Sequence, residues 1–266
     1  MTWTRFLETA NADDHAVQIY HEVDELAASL AQFLGGGFQV AEPAIVITTP
    51  EHWQVFRQQL EAAGCRVEEL QRQGLLTCRD ADLMLSSIMD GELPSASAFE
   101  QVVGGLLDET SRRYPSKTIR TFGEMVDVLW RRGQEQAAIA LEELWNELAG
   151  TRSFALFCGY QLDIFDAGVQ AAALPRIFGK HSHQRLVADT SRLADAVDRA
   201  LADVVGPVEA GRIYLQVAEE MPLTAAPRGQ VILMWLSDRQ EPKLERILKS
   251  ARAHYANLGE RHTFAA

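Results

Sequence analysis

Thr48 and Thr49 end the apolar run Ala44-Ile-Val-Ile-Thr48 and lead into Pro50-Glu-His52. A strand, a tight turn and a helix form the setting in which an α/β nucleotide hydrolase places its phosphate loop. Such a loop needs glycines, so that backbone N–H groups can approach the phosphates, and a lysine to meet their charge. This turn has no glycine, a proline that deletes one donor, and an acidic residue. Lys117 is the first lysine in the chain, so no upstream lysine can serve the turn. The segment therefore reads as a strand-to-helix connection and not as an ATP-hydrolysing loop. Gly35-Gly-Gly37 follows a helical pattern instead of a strand, which is the wrong context for phosphate and the right one for a helix end.

Arg120-Thr-Phe-Gly-Glu124 leaves a second strand-like run. Ligands of parallel α/β sheets bind beyond the carboxyl ends of strands. An Arg and a Glu four apart there grip either a polar ligand or each other. His181-Ser-His183 offers two metal-type ligands without an acidic or cysteine neighbour in sequence, so a hydrogen-bonding role is the plainer reading. His15, near Tyr20, is a similar case. Glu142 and Asn146, four apart on one helix face, read either as a solvated face or as groups that reach across to Arg120 or a ligand, and the adjacent Trp145 sets the helix against the core. Cys65, Cys78 and Cys158 are widely spaced, which fits reduced thiols better than a disulfide framework or a zinc motif. There is no Gly-x-Ser-x-Gly, and the 37 acidic residues select no particular carboxylate pair.

The elements that must position these groups alternate in type. Strand patterns fall at 16–20, 44–48, 75–78, 118–122 and 153–160. Helical spacing follows in Val23 to Leu34, in the Trp53, Phe56 and Leu60 stripe, in Asp80 to Met89, in Phe99 to Leu107 and in Gln134 to Leu148. This order predicts an α/β fold, a mainly parallel sheet with helices on both faces. After about Arg185 the pattern is helical, at Asp189 to Val205, Val231 to Leu236 and Leu244 to Tyr255. Gly206-Pro207 and Met221 to Gly229 read as connections. The expected division is an α/β domain at 12–185 and a helical C-terminal region at 186–266.

Apolar residues make up 47% of the 266 residues, enough for a sizeable core. A net charge of −12 argues against nucleic acid and against an anionic membrane surface as partners. The first residues lack a long apolar stretch, and no run approaches the length of a membrane span, so a cytoplasmic location is expected. The Leu233, Trp235 and Leu236 cluster is too apolar to leave in water, at ~25 cal/mol per Å². It should be buried in the chain or in a homodimer.

The block from Arg120 to Trp130, then Ala137 to Leu148, then Phe154-Ala-Leu-Phe-Cys-Gly-Tyr160 resembles the MEDS domain, the methanogen/methylotroph, DcmR-type sensory domain. His15 to Tyr20, Glu42 to Thr48, Asp90-Gly91 with Phe99, and His181-Ser-His183 fit as well, so the resemblance covers about residues 12 to 185. It implies a RecA/KaiC-like fold whose phosphate loop is lost. It also implies a non-enzymatic sensor of a small molecule, such as a hydrocarbon derivative, relaying to a histidine kinase or a transcriptional partner. Thr48, Thr49, Arg120, Glu124, Tyr160 and His181 are the expected ligand-binding residues, with no catalytic set, metal or cofactor. The competing readings are a residual nucleotide-binding ATPase-like protein and a ligand-free interaction scaffold.

Overall fold

The computed structural model describes residues 3–187, 189–220, 227–239 and 242–263. The chain divides into two compact units, Met1–Gln161 with Lys180–Gln184, and Leu162–Gly179 with Arg185–Ala266.

The first unit opens with α1 (Trp3–Glu8), β1 (His15–Tyr20), α2 (Val23–Gln39) and β2 (Ala44–Thr48). Next come α3 (Pro50–Ala62), α4 (Val67–Gln73), β3 (Leu76–Asp80) and α5 (Ala81–Ile88). Thr49 caps α3 by accepting from the His52 amide at 3.3 Å, with Pro50 in the first helical turn, where its missing N–H costs nothing. Asp80 caps α5 in the same way, accepting from the amides of Asp82 and Leu83. A two-residue hairpin, β4 (Met89–Asp90) with β5 (Leu93–Pro94), turns through Gly91 at a φ of 63°. One helical run follows, α6 (Ala96–Phe99), a π-helical turn (Glu100–Gly104) and α7 (Gly105–Arg113). The unit continues with β6 (Ile119–Gly123), α8 (Met125–Arg131), α9 (Glu135–Ala149) and β7 (Phe154–Gln161).

The sheet has six strands in the order β3-β2-β6-β7-β1-β8, with β8 (His183–Arg185) at one edge. The pairs β2–β3, β2–β6, β6–β7 and β1–β7 are all parallel. All six residues of β1 and all five of β2 are buried, as strands covered on both faces require. The order contains a reversal. From β1 the chain crosses to β2 and steps outward to β3, then turns back through β6 and β7. Right-handed crossovers therefore place α2 to α4 on one face and α5 to α9 on the other. The first face is an aromatic core in which Phe6 stacks on Phe33 and Phe157 meets Phe33 and Phe122 edge-on.

Two expectations are corrected here. The glycine run does not end α2, which continues through it to Gln39. Its reason is close approach: a Cβ on Gly36 would sit 2.6 Å from the Glu8 carbonyl oxygen, and one on Gly37 would sit 2.6 Å from Arg120 Cδ. The glycines let α1 and the Arg120 side chain lie against the helix backbone. The Gly206-Pro207 connection shrinks to Gly206 alone, which follows α11 at a φ of 84°, because Pro207 already begins a full helix. The Met221 to Gly229 connection lies outside the described residues as far as 226, and Arg228 and Gly229 belong to a helix.

The second unit contains a π-helical turn (Val169–Ala173), α10 (Leu174–Phe178), α11 (Thr190–Val205), α12 (Pro207–Glu220), α13 (Arg228–Asp238) and α14 (Leu244–Thr263). Leu193, Val197 and Leu201 form the buried stripe of α11, which packs on α12, α13 and α14. Leu233, Trp235 and Leu236 are covered within the chain itself, so their burial gives no reason for a second copy. Among the described residues no helix is long and apolar enough to cross a membrane.

Candidate functional site

The neighbours β2 and β6 send their following connections in opposite directions, one toward β3 and the other toward β7. Such a divergence opens a crevice at the carboxyl ends of the two strands. Thr48 is the last residue of β2, and Glu124 follows the last residue of β6, held there by its amide on the Ile47 carbonyl at 2.9 Å. The Glu124 side chain turns back into the crevice and is fully buried. One carboxylate oxygen accepts from the Thr48 hydroxyl and from the Thr49 amide, the latter at 3.1 Å. The other pairs with His52 Nδ1. The first amides of α3 carry the positive end of the helix dipole, which is where an anion binds. Here the chain's own carboxylate takes that place.

The hydrogen bond from Glu124 raises the His52 pKa above 6.5, against the opposing effect of burial, and the Glu124 charge adds to the rise. A second carboxylate, Asp127 on α8, stands beside this group. It accepts from Tyr20 Oη at 3.1 Å, from Arg131 Nε at 2.9 Å and from the Gln161 amide at 2.8 Å. Burial pushes the Asp127 carboxyl up, while Arg131 and the Gln161 amide hold it back. The ends of β1, β2, β6 and β7 thus bring two buried carboxylate groups near enough for the Glu124 charge to act on Asp127. An open cleft of about 360 Å³ adjoins them, lined by Thr49, Glu51, His52, Asp82, Val128, Arg131 and Arg132.

A separate polar group lies on the sheet face covered by α9. His15, first in β1, and Cys158 of β7 are diagonal neighbours in the parallel ladder, where His15 faces Leu156 and Val17 faces Cys158. Glu142 of α9 and His181 complete the group, and all four residues are buried. Tyr160 donates to Glu142 Oε1 at 2.7 Å, and His15 Nδ1 meets Asn146 Oδ1 at 3.0 Å. One ligand-type atom from each of His15, Glu142, Cys158 and His181 lies within 4.8 Å of every other. Burial pushes the Glu142 carboxyl up, but the His181 charge, the two His15 contributions and the Tyr160 hydroxyl outweigh it and hold the carboxyl below its ordinary range. Burial and the Glu142 charge push the Cys158 thiol well above its ordinary value.

The six expected ligand residues therefore fall in three places. Thr48, Thr49 and Glu124 meet in the crevice. Tyr160 and His181 join the α9 group. Arg120 belongs to neither. It is the second residue of β6, so it sits at the opposite end of the strand from Glu124, and the two do not pair. Its guanidinium bonds Glu42 and the carbonyls of Leu7, Glu8 and Phe33, and so ties α1 and α2 to the sheet. Glu142 and Asn146 likewise reach His15 and Tyr160 instead of Arg120. Sequence reasoning missed His52, Asp127, Arg131 and Cys158. The i,i+4 spacing of Asp127 and Arg131 was a usable signal. The helix-capping position of Thr49, which puts His52 in the first turn of α3, was another.

The fold and crevice define a parallel α/β domain with a strand-end site already engaged by an internal carboxylate. The chain belongs to the MEDS family: the model of the methanogen/methylotroph, DcmR sensory domain matches residues 14–175. That is a sensory-type domain, in keeping with the resemblance read from the Arg120 to Tyr160 block. No curated protein matches the chain.

Proposed function

We propose that this protein is a sensory module without catalytic turnover, which binds a small organic molecule at the β2–β6 crevice and relays its presence to a signalling partner. A histidine kinase or a transcriptional regulator is the partner class that the family resemblance implies. The observation that carries the reading is the Glu124 carboxylate on the Thr49 amide. A nucleotide phosphate entering there would meet a like charge and an amide already engaged. The two arginines of the adjoining cleft are already paired, Arg131 with Asp127 and Arg132 with Asp82, and so do little to offset that repulsion.

The adjoining cleft is small and mostly polar, with charges of both signs. It suits a compact hydrocarbon derivative with a polar head better than a bare hydrocarbon. Such a head would exchange hydrogen bonds with His52, Arg131 or Asp82. Because His52 also holds Glu124, a ligand that recruits it alters the packing of α3 against β2 and β6. That rearrangement is the mechanical origin of the signal.

Thermal-shift and calorimetric screening of short-chain alcohols, amines, carboxylic acids and halides tests this. A ligand at ~100-fold its Kd stabilises the folded chain by about 2.7 kcal/mol, well within reach of both methods. His52→Ala and Arg131→Ala are expected to weaken the response. Magnesium-dependent ATP turnover that disappears in Glu124→Gln would overturn the reading in favour of an enzyme. A complete absence of small-molecule binding would favour a scaffold.

A further inference from the structure

We propose that His15, Glu142, Cys158 and His181 bind a single zinc ion. Their ligand atoms are spaced as a coordination shell. His15 Nε2 lies 3.4 Å from Glu142 Oε2, His181 Nε2 lies 3.5 Å from Glu142 Oε1, and Cys158 Sγ lies 3.5 Å from His15 Nε2. Ligand atoms held ~2.0–2.3 Å from zinc in a tetrahedron stand roughly 3.3–3.8 Å apart. The two imidazole–carboxylate separations exceed the usual N–H···O length of ~2.7–3.2 Å. The His15–Glu142 Oε2 and Cys158–His15 distances match edges of such a tetrahedron, and the other ligand-atom pairs lie within 4.8 Å, close enough for one cation to draw together.

Two further observations point the same way. Glu142 is fully buried, and its Oε2 atom, 3.4 Å from His15 Nε2, has no hydrogen-bond partner. Leaving a buried carboxylate oxygen in that condition is costly unless something positive meets it. Charge balance identifies the something. A thiolate, a carboxylate and two neutral imidazoles carry two negative charges, so a divalent cation makes the whole buried group neutral.

The surrounding contacts are those of an outer shell. Asn146 Oδ1 accepts from His15 Nδ1–H and so presents Nε2 to the metal, and Tyr160 holds the second oxygen of Glu142. Two histidines, one thiolate and one carboxylate favour zinc over magnesium or calcium, which prefer oxygen donors. With four protein ligands the site is closed, so its expected role is to fasten β1, β7, α9 and the 180–184 segment together. This inference does not depend on the crevice ligand.

The test uses the 266-residue chain with Cys65 and Cys78 changed to serine, so that Cys158 is its only thiol. After dialysis against a chelator it is titrated with cobalt(II), then with zinc. The expected result is one equivalent of cobalt, intense tetrahedral ligand-field bands and a thiolate-to-cobalt charge-transfer band, all displaced by one equivalent of zinc. Cys158→Ser should remove the charge-transfer band and keep tetrahedral bands. Asn146→Ala should weaken zinc binding by roughly 10–100-fold without changing the spectrum. Should Cys158→Ser fail to fold, elemental analysis of the zinc-loaded parent and the fall of its melting temperature on chelation decide the matter. Failure of the folded parent chain to take up a stoichiometric metal would overturn the proposal, leaving Glu142 as a carboxylate held by imidazolium groups. So would octahedral cobalt bands without a thiolate transition.

Discussion

His52 is the residue whose protonation most directly reports on the crevice. Its pKa is raised above 6.5 in the folded chain by the hydrogen bond to Glu124. A raised basic group contributes stability that is fully present below its unfolded pKa and is lost as pH rises through the folded value. The wild-type melting temperature should therefore fall, relative to that of His52→Gln, over the pH range that starts near the ordinary imidazole value of about 6.5 and runs up through the raised folded value. Parallel melting curves that do not converge over this range would show that the His52–Glu124 contact is not a charged pair. The residues of this crevice were partly legible in sequence. Thr48 and Thr49 close the continuous apolar run of β2, and Glu124 follows the β-branched and aromatic run of β6, so both strand ends were visible. Arg120 was misread for the same reason: its strand runs from Ile119 to Gly123, so an arginine near its start is at the wrong edge of the sheet. Nothing local could pair His15 with Cys158, which stand 143 positions apart.

At the scale of elements, α2 shows how composition misleads when tertiary contact overrides propensity. Three consecutive glycines weaken an isolated helix by roughly 1 kcal/mol each relative to alanine. They persist here because neighbouring groups press on the helix, though not on all three glycines equally. A Cβ on Gly35 would meet nothing nearer than Cys65 Sγ at 4.0 Å, whereas one on Gly36 would run into the backbone of α1. Gly35→Ala is expected to stabilise the protein by about 0.5–1 kcal/mol. Gly36→Ala is expected to destabilise it by about 1–3 kcal/mol through displacement of α1. Urea denaturation of the two variants checks both signs, and equal effects would remove close approach as the explanation. The elements missed in sequence include α4, α8 and α12, for two reasons. The first two span seven residues each, too short for a clear period, and α12 begins on a Gly-Pro pair that ordinarily marks a turn.

At the scale of the whole molecule, alternation of strands and helices was enough to predict a covered, mainly parallel sheet, but not the order of its strands. Order is decided by which faces the crossovers can bury, a property no local pattern encodes. The first strand sits between β7 and β8, the last two to be made. Its six buried residues cannot be covered until the chain has been extended by more than a hundred positions. At ~5–20 residues per second, the ribosome takes on the order of ten seconds to supply that partner. During this interval an apolar strand waits without its neighbours. Non-local pairing of this kind folds slowly and leaves aggregation-prone surface open. Pulse-labelled hydrogen exchange during refolding should find the β2–β3 amides protected before those of β1 and β7, and simultaneous protection would refute the sequence of events. The β7-β1-β8 side of this sheet is thus expected to assemble last, and a cell making the protein quickly has good reason to keep chaperones close to its amino-terminal strand.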